Sequence, residues 1–207
     1  MKASIQKNHR HFFHSFLWPM AFFLCSDLQA HNSDLVDILS VIPDIHIDLK
    51  YATKDNFTGE VIYDFEECLI HKDAAECLKK VQEELKTMGL SLKIWDGFRP
   101  FKAQEKFWEI LHDPRYVSDP KIGGRHTRGT AVDVTIVTKD GKELVMPSQF
   151  DDFSEKSHKN YMGGTAEEHL NRALLNEVME KYGFVGLETE WWHFDLKTWK
   201  NYPPIKN

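Results

Sequence analysis

The sequence predicts an α+β fold in which helices flank an antiparallel sheet. Three observations carry this. Segments with apolar residues at alternate positions are interspersed with segments whose apolar residues recur at helical spacing. The two kinds do not follow the regular strand–helix–strand alternation of a parallel sheet. One strand run ends at Asp140-Gly141, a hairpin-type turn. A length of 207 residues suits one domain with a real core.

The elements follow in order. Lys2, Lys7 and Arg10 precede "FFHSFLWPMAFFLC" and then polar "SDLQAHNSD". A basic stretch, a short apolar stretch and the small residue Ala30 are in the order of an export signal. Residues 1–30 are therefore expected to be a signal peptide and 31–207 a single domain, acting in the periplasm or secreted. His14, Ser15 and Pro19 interrupt the apolar stretch, so a cytoplasmic protein with a disordered or amphipathic extension is the alternative. Beyond this segment no apolar run is long enough to span a bilayer. A formal net charge of −6 leaves no basic footprint for nucleic acid.

Ile45, Ile47 and Leu49 alternate with polar residues and read as a strand, and "NFTGE" follows as a loop. From Asp73, Leu78, Val81, Leu85 and Met88 share one helical face, which stops at Gly89. A strand "LKIWD" leads to "GFRPFKAQEKFWEILHD", where Pro100 suits a first helical turn and Phe107, Ile110 and Leu111 form the apolar stripe. Ala131 to Val137 reads as a buried strand. Thr165 and Glu168 make a capping box for a helix that closes at Gly183. "FVGL" and "WWHFDL" are the last strands. Cys68 and Cys77, nine residues apart, are placed either to form a disulfide or to remain two half-buried thiols. Neither has a His at zinc-finger spacing.

One residue breaks the pattern. Asp133 lies inside "TAVDVTIV", and a buried carboxylate needs a charge partner, a metal or good hydrogen bonds. A strand-end cap, or a pairing with Arg125 or Arg128, would satisfy it. So would a metal held with His126 and His193, a His/Asp/His set of the kind zinc accepts while a fourth position stays open for water. On a strand, Trp191, His193 and Asp195 share one face. Glu190 precedes His193 by three residues, roughly 10 Å in extended chain. The two converge on one object only if the chain bends at Glu190.

"GRHTRGTAVDV" and "ETEWWHF" resemble the H-x-x-G-x-A-x-D and E-x-W-H signatures of the zinc D-alanyl-D-alanine peptidases. "DLKYATKDNFTGEVIY", "GFRPFKAQ", "DPKIGGRHTRGTAVD", "FDDFSEKSH" and "ETEWWHF" stand in the order found in VanX-like D-alanyl-D-alanine dipeptidases, across residues 42 to 196. The resemblance implies the hedgehog-like architecture of that family and one zinc ion per chain. It implies ligands at His126, Asp133 and His193, a catalytic base at Glu190, and a transition-state arginine at Arg99. Tyr51 and Asp151 match positions near the substrate pocket, and Ser157 and His158 match a pair expected to serve structurally. The implied activity is hydrolysis of D-alanyl-D-alanine or a close D,D-dipeptide, in cell-wall metabolism. A carboxypeptidase acting on longer wall peptides and a non-catalytic zinc-stabilised wall-binding protein are the alternatives. Two departures bear on specificity. Gly124 stands where the family carries a Ser, and "VMPSQFD" (145–151) replaces "D-M-G-T-x-F-D".

Overall fold

A computed structural model describes Met1 and residues 34–206. Apart from Met1, the expected signal peptide lies outside the described residues. The fold is α+β. The strands are β1 (Leu35–Asp37), β2 (His46–Ile47), β3 (Leu69–His71), β4 (Leu90–Asp96), β5 (Ala131–Thr138), β6 (Phe184–Gly186) and β7 (His193–Leu196). The helices are α1 (Ile38–Val41), α2 (Lys72–Thr87), α3 (Phe101–Ile110) and α4 (Ala166–Lys181). β1 and β3 form a two-stranded antiparallel pair, and the main sheet has the order β2-β4-β5-β7-β6. All its neighbours are antiparallel except β2, which runs parallel to β4 at the edge.

α2 and α4 pack on each other and cover one face of this sheet. Val132, Val134 and Ile136 of β5, Leu92 and Ile94 of β4 and Phe194 of β7 point into that layer with Leu78, Val81 and Leu85 of α2. Each such fully buried side chain contributes roughly 1.5–3 kcal/mol. A smaller aromatic cluster, Tyr51, Tyr63 and Phe107, joins α3 to the chain before β3.

The opposite sheet face carries the polar residues, and the register lines them up. Asp133 pairs with Asp96 on one side and His193 on the other, and Ala131 pairs with Asp195. Asp96 reaches this row through an irregularity. Ile94 pairs with Val134 and Asp96 with Asp133, so β4 spends two residues where β5 spends one. Without that bulge, Asp96 would share the core-facing side with Ile94; a bulge re-aims a side chain in this way.

Several expectations are adjusted. The alternation at 45–49 makes only the two-residue β2, because Leu49 already leads into a 3₁₀ turn. Met88 lies past the end of α2 and is exposed, since only residues within the helix share its buried face. Pro100 is the residue before α3, Leu111 lies beyond it, and Ile110 is exposed, leaving Phe107 as the buried anchor. β7 starts at His193, with Trp191 and Trp192 in the turn before it, yet His193 and Asp195 keep their shared face. Cys68 and Cys77 do not form a disulfide; both are free thiols. The Cys68 sulfur lies near Gly97 at the end of β4 and that of Cys77 near Gly183 beyond α4, so they face different parts of the fold.

Candidate metal centre and active site

His126 opens a 3₁₀ turn, His126–Arg128, that ends at Gly129 with φ 67°. A Cβ at Gly129 would stand 2.5 Å from the Leu35 side chain and 2.9 Å from the His71 nitrogen, so only glycine lets the turn press against β3. The turn aims His126 at the polar row. His126 Nδ1 is 2.8 Å from the Gly97 carbonyl. A carbonyl only accepts, so Nδ1 carries the proton and Nε2 offers its lone pair. Across the sheet, His193 Nε2 is 3.0 Å from Asp195 Oδ1, which leaves His193 Nδ1 as the free nitrogen. Pairing each ring's far nitrogen with an acceptor is how metal-binding histidines are oriented.

The two freed nitrogens and Asp133 converge. His126 Nε2 to His193 Nδ1 is 3.1 Å, His193 Nδ1 to Asp133 Oδ1 is 3.0 Å, and His126 Nε2 to Asp133 Oδ1 is 3.4 Å. Three ligands at about 2.0–2.1 Å around a tetrahedral ion stand roughly 3.3 Å apart. All three side chains are buried and form the group able to hold a metal ion among the described residues. With no cation between them, three lone pairs would face one another. The surroundings call for positive charge at this point. Burial opposes a charged His193, yet Asp195 and Asp133 push its pKa up to about 10. Burial works against Asp133 as well, but His126 and His193 hold its carboxyl well below the usual range. The donor set therefore fits a divalent ion.

Glu190 faces the same point. Its Oε2 is 3.9 Å from His193 Nδ1, and its side chain is buried. The chain bends here as the spacing requires, with the His193 amide donating to the Glu190 carbonyl at 3.3 Å. Ser157 secures the bend. It donates through Oγ to the Thr189 carbonyl at 2.9 Å and accepts the Trp191 amide at 2.8 Å. That is the structural role expected of Ser157. Burial, reinforced by Asp133 and Asp151 against His193 and Arg99, pushes the Glu190 carboxyl up to about 8.

Arg99 is held on every side. Nε and Nη2 donate to Asp96 Oδ2 at 3.1 and 2.7 Å, and Nη1 donates to Gln104 Oε1 at 3.2 Å. Its guanidinium carbon lies 4.7 Å from the centre of the Phe107 ring. Nη2 is 3.9 Å from Asp133 Oδ2, at the edge of the trio. Tyr51 donates to Asp151 Oδ1 at 3.0 Å. Asp151 adopts a left-handed φ of 59°, and burial pushes its carboxyl up to about 7. The adjacent Asp152 instead caps the Ser154 amide. A cavity of about 300 Å³ opens over the trio, walled by Tyr51, Arg99, Asp151, Glu190 and Trp192.

Of the residues singled out in the sequence, Ser157, His158 and the two cysteines do not line this cavity, whereas Tyr51, Arg99, His126, Asp133, Asp151, Glu190 and His193 do. Sequence reasoning missed the groups behind them: Asp195 behind His193, the Gly97 carbonyl behind His126, and Asp96 behind Arg99. Asp195 had a legible signal, since it shares the His193 face at period two. The other two had none, because a carbonyl's direction and a bulge are not written in residue types.

The family described as D-ala-D-ala dipeptidase, Peptidase_M15, matches residues 31–203. D-alanyl-D-alanine dipeptidase of Escherichia coli (strain K12) is 43% identical over 175 residues, covering 84% of this chain and 91% of that protein. The protein of the same name from Enterococcus faecium is 33% identical, over 76% of this chain and 88% of its own length. That of Enterococcus faecalis (strain ATCC 700802 / V583) is 32% identical, over 72% and 84%. With the family model spanning every strand and helix of the described fold and relatives of the same name at 32–43% identity, the chain belongs to the D-Ala-D-Ala dipeptidase family.

Proposed function

We propose that this protein hydrolyses D-alanyl-D-alanine, or a close D,D-dipeptide, to free D-amino acids, using one zinc ion per chain held by His126, Asp133 and His193. The observation that carries the reading is the convergence of two tautomer-fixed imidazole nitrogens and one carboxylate oxygen beside the Glu190 carboxylate. Such an ion supplies Lewis acidity and lowers the pKa of water.

The protein's own groups do the rest. Glu190, buried and without a competing hydrogen-bond donor among the described residues, would be ionised by the charge of a divalent ion beside it. Its Oε2 would then take the proton from water and later deliver it to the leaving amine. Arg99 is locked by Asp96 and Gln104, so its charge is already in place when negative charge grows on the peptide oxygen. Asp151 and Tyr51, across the cavity, offer a carboxylate and a phenol to the substrate's free ammonium. A cavity of about 300 Å³ is of the size that takes a small ligand. Gly124 leaves room for Gln104, whose Oε1 would lie 3.3 Å from a Cβ there and is the acceptor that steadies Arg99. In the altered 145–151 loop, Ser148 Oγ accepts the Trp191 indole N–H at 2.9 Å. The order of basic and apolar residues in 1–30 supports export to the periplasm, where wall fragments are the substrate source.

Glu190→Gln tests this. The variant is expected to retain one zinc per chain while turnover of D-Ala-D-Ala falls about 10²–10⁴-fold. An unchanged rate would remove the mechanism, and parent protein that cleaves L-Ala-L-Ala equally well would remove the substrate assignment.

A further inference from the structure

Asp195 divides its two oxygens. Oδ1 accepts the His193 Nε2 proton at 3.0 Å, and Oδ2 faces Arg125 Nε at 3.1 Å. Asp195 is buried, whereas the Arg125 side chain is one-third exposed and its guanidinium carbon rests 5.2 Å from the centre of the Trp199 ring. Arg125 is also the residue at which the His126 turn begins. Its carbonyl accepts the Arg128 amide at 3.1 Å and the Thr130 hydroxyl at 3.3 Å. One residue is therefore linked to both histidines of the trio, to His126 as its neighbour in the chain and to His193 through the Asp195 carboxylate. Those imidazoles come from segments 67 residues apart in the chain.

We propose that Arg125 is a positioning residue for the metal centre, holding Asp195 in the rotamer that turns His193 Nδ1 toward Asp133 and His126. The inference rests on the metal reading above. An exposed Arg–Asp pair contributes little by itself, but here one partner is a buried carboxylate whose other oxygen is committed to a metal-facing ring. Without the guanidinium, that carboxylate is free to rotate, and the ring loses its fixed orientation.

The test is a double-mutant cycle on the zinc dissociation constant, measured by chelator competition. Asp195→Asn is expected to weaken zinc binding about 10–100-fold, the usual cost of losing a group that orients a ligand. Arg125→Ala is expected to weaken it about tenfold, toward the low end of that range. The double variant should bind no more weakly than Asp195→Asn, because Arg125 acts through Asp195. Arg125→Lys should recover part of the loss, and Arg125→Gln is the near-isosteric neutral control should the alanine variant fold poorly. Zinc binding by Arg125→Gln and Arg125→Ala as tight as in the parent would overturn the inference, as would a double variant whose loss is the product of the two single losses. Parent protein that binds no zinc would overturn the metal reading itself.

Discussion

Asp96→Asn probes whether the arginine at the cavity depends on a single buried carboxylate. Asp96 is fully buried and accepts four hydrogen bonds. Tyr63 Oη and the Gly97 amide donate to Oδ1 at 2.7 and 3.0 Å, and Arg99 Nε and Nη2 donate to Oδ2 at 3.1 and 2.7 Å. Asparagine keeps the shape and loses the charge, and its NH₂ must replace one acceptor. Facing Arg99, it meets two N–H groups; facing Tyr63, it meets the Gly97 N–H, which cannot turn away. Removing one partner of a buried ion pair costs about 3–5 kcal/mol. Domains are stable by roughly 5–15 kcal/mol, so a fifth or more of the total is at stake. For a chain of this size each kcal/mol lowers Tm by about 2–4 °C, so the expected fall is about 6–20 °C. There is a functional consequence as well. The nearest remaining carboxylate oxygen for the freed guanidinium is Asp133 Oδ2, 3.9 Å from Nη2. Arg99 would turn toward it and compete for a proposed metal ligand, so zinc affinity should fall together with stability. Urea unfolding of zinc-free protein and a zinc titration measure the two effects. A loss below about 1 kcal/mol with unchanged zinc affinity would refute the argument that Asp96 sets Arg99.

Two further outcomes follow from the same geometry. Burial, with the charge of Asp133 adding to it, raises the Asp151 carboxyl from the ordinary 3.8 to about 7, so the folded protein keeps a proton the unfolded chain has released. Stability of zinc-free protein should therefore fall as pH rises between those values. Asp151→Asn accepts the same Tyr51 bond and tolerates a φ of 59°. It should be the more stable protein at pH 8, by on the order of 4 kcal/mol at most. That gain should vanish near pH 4, and KM for the dipeptide should rise; superimposable pH–stability curves for variant and parent would contradict this. Chelation should destabilise the parent protein, because an ion present at 1,000 times its dissociation constant adds about 4 kcal/mol. Zinc should restore Tm and magnesium should not, since imidazole ligands suit zinc and oxygen-only sites suit magnesium. Equal rescue by magnesium would argue against the His/Asp/His centre.

Some of this molecule could be read without coordinates. α2 and α4 were legible because their signals are local: apolar spacing over four turns, a Thr165–Glu168 capping box and terminal glycines act within one helix. β5 was legible for the same reason, and Asp133 stood out against its apolar neighbours. The motif resemblance supplied His193, Glu190, Arg99, Tyr51 and Asp151 as one set. The short β2 and its parallel pairing were not legible, because two residues carry too little pattern to outweigh the turn that follows. The choice between a disulfide and two free thiols at Cys68 and Cys77 was not legible for a similar reason. Spacing limits how far apart two cysteines can be, not which way each faces.

Residue type and local period determined the α+β class, the boundaries of α2, α3 and α4 to within a residue or two, and the His126, Asp133, His193 and Glu190 candidates, while the motif resemblance added Arg99, Tyr51 and Asp151. Tertiary structure alone decided where the spare nitrogen of each histidine points, that a bulge turns Asp96 beneath Arg99, and that Asp195 stands between His193 and Arg125. The physical reason is range. Helix and strand signals act between residues a few positions apart, whereas the orientation of an imidazole is fixed by acceptors that strand pairing brings from tens of residues away.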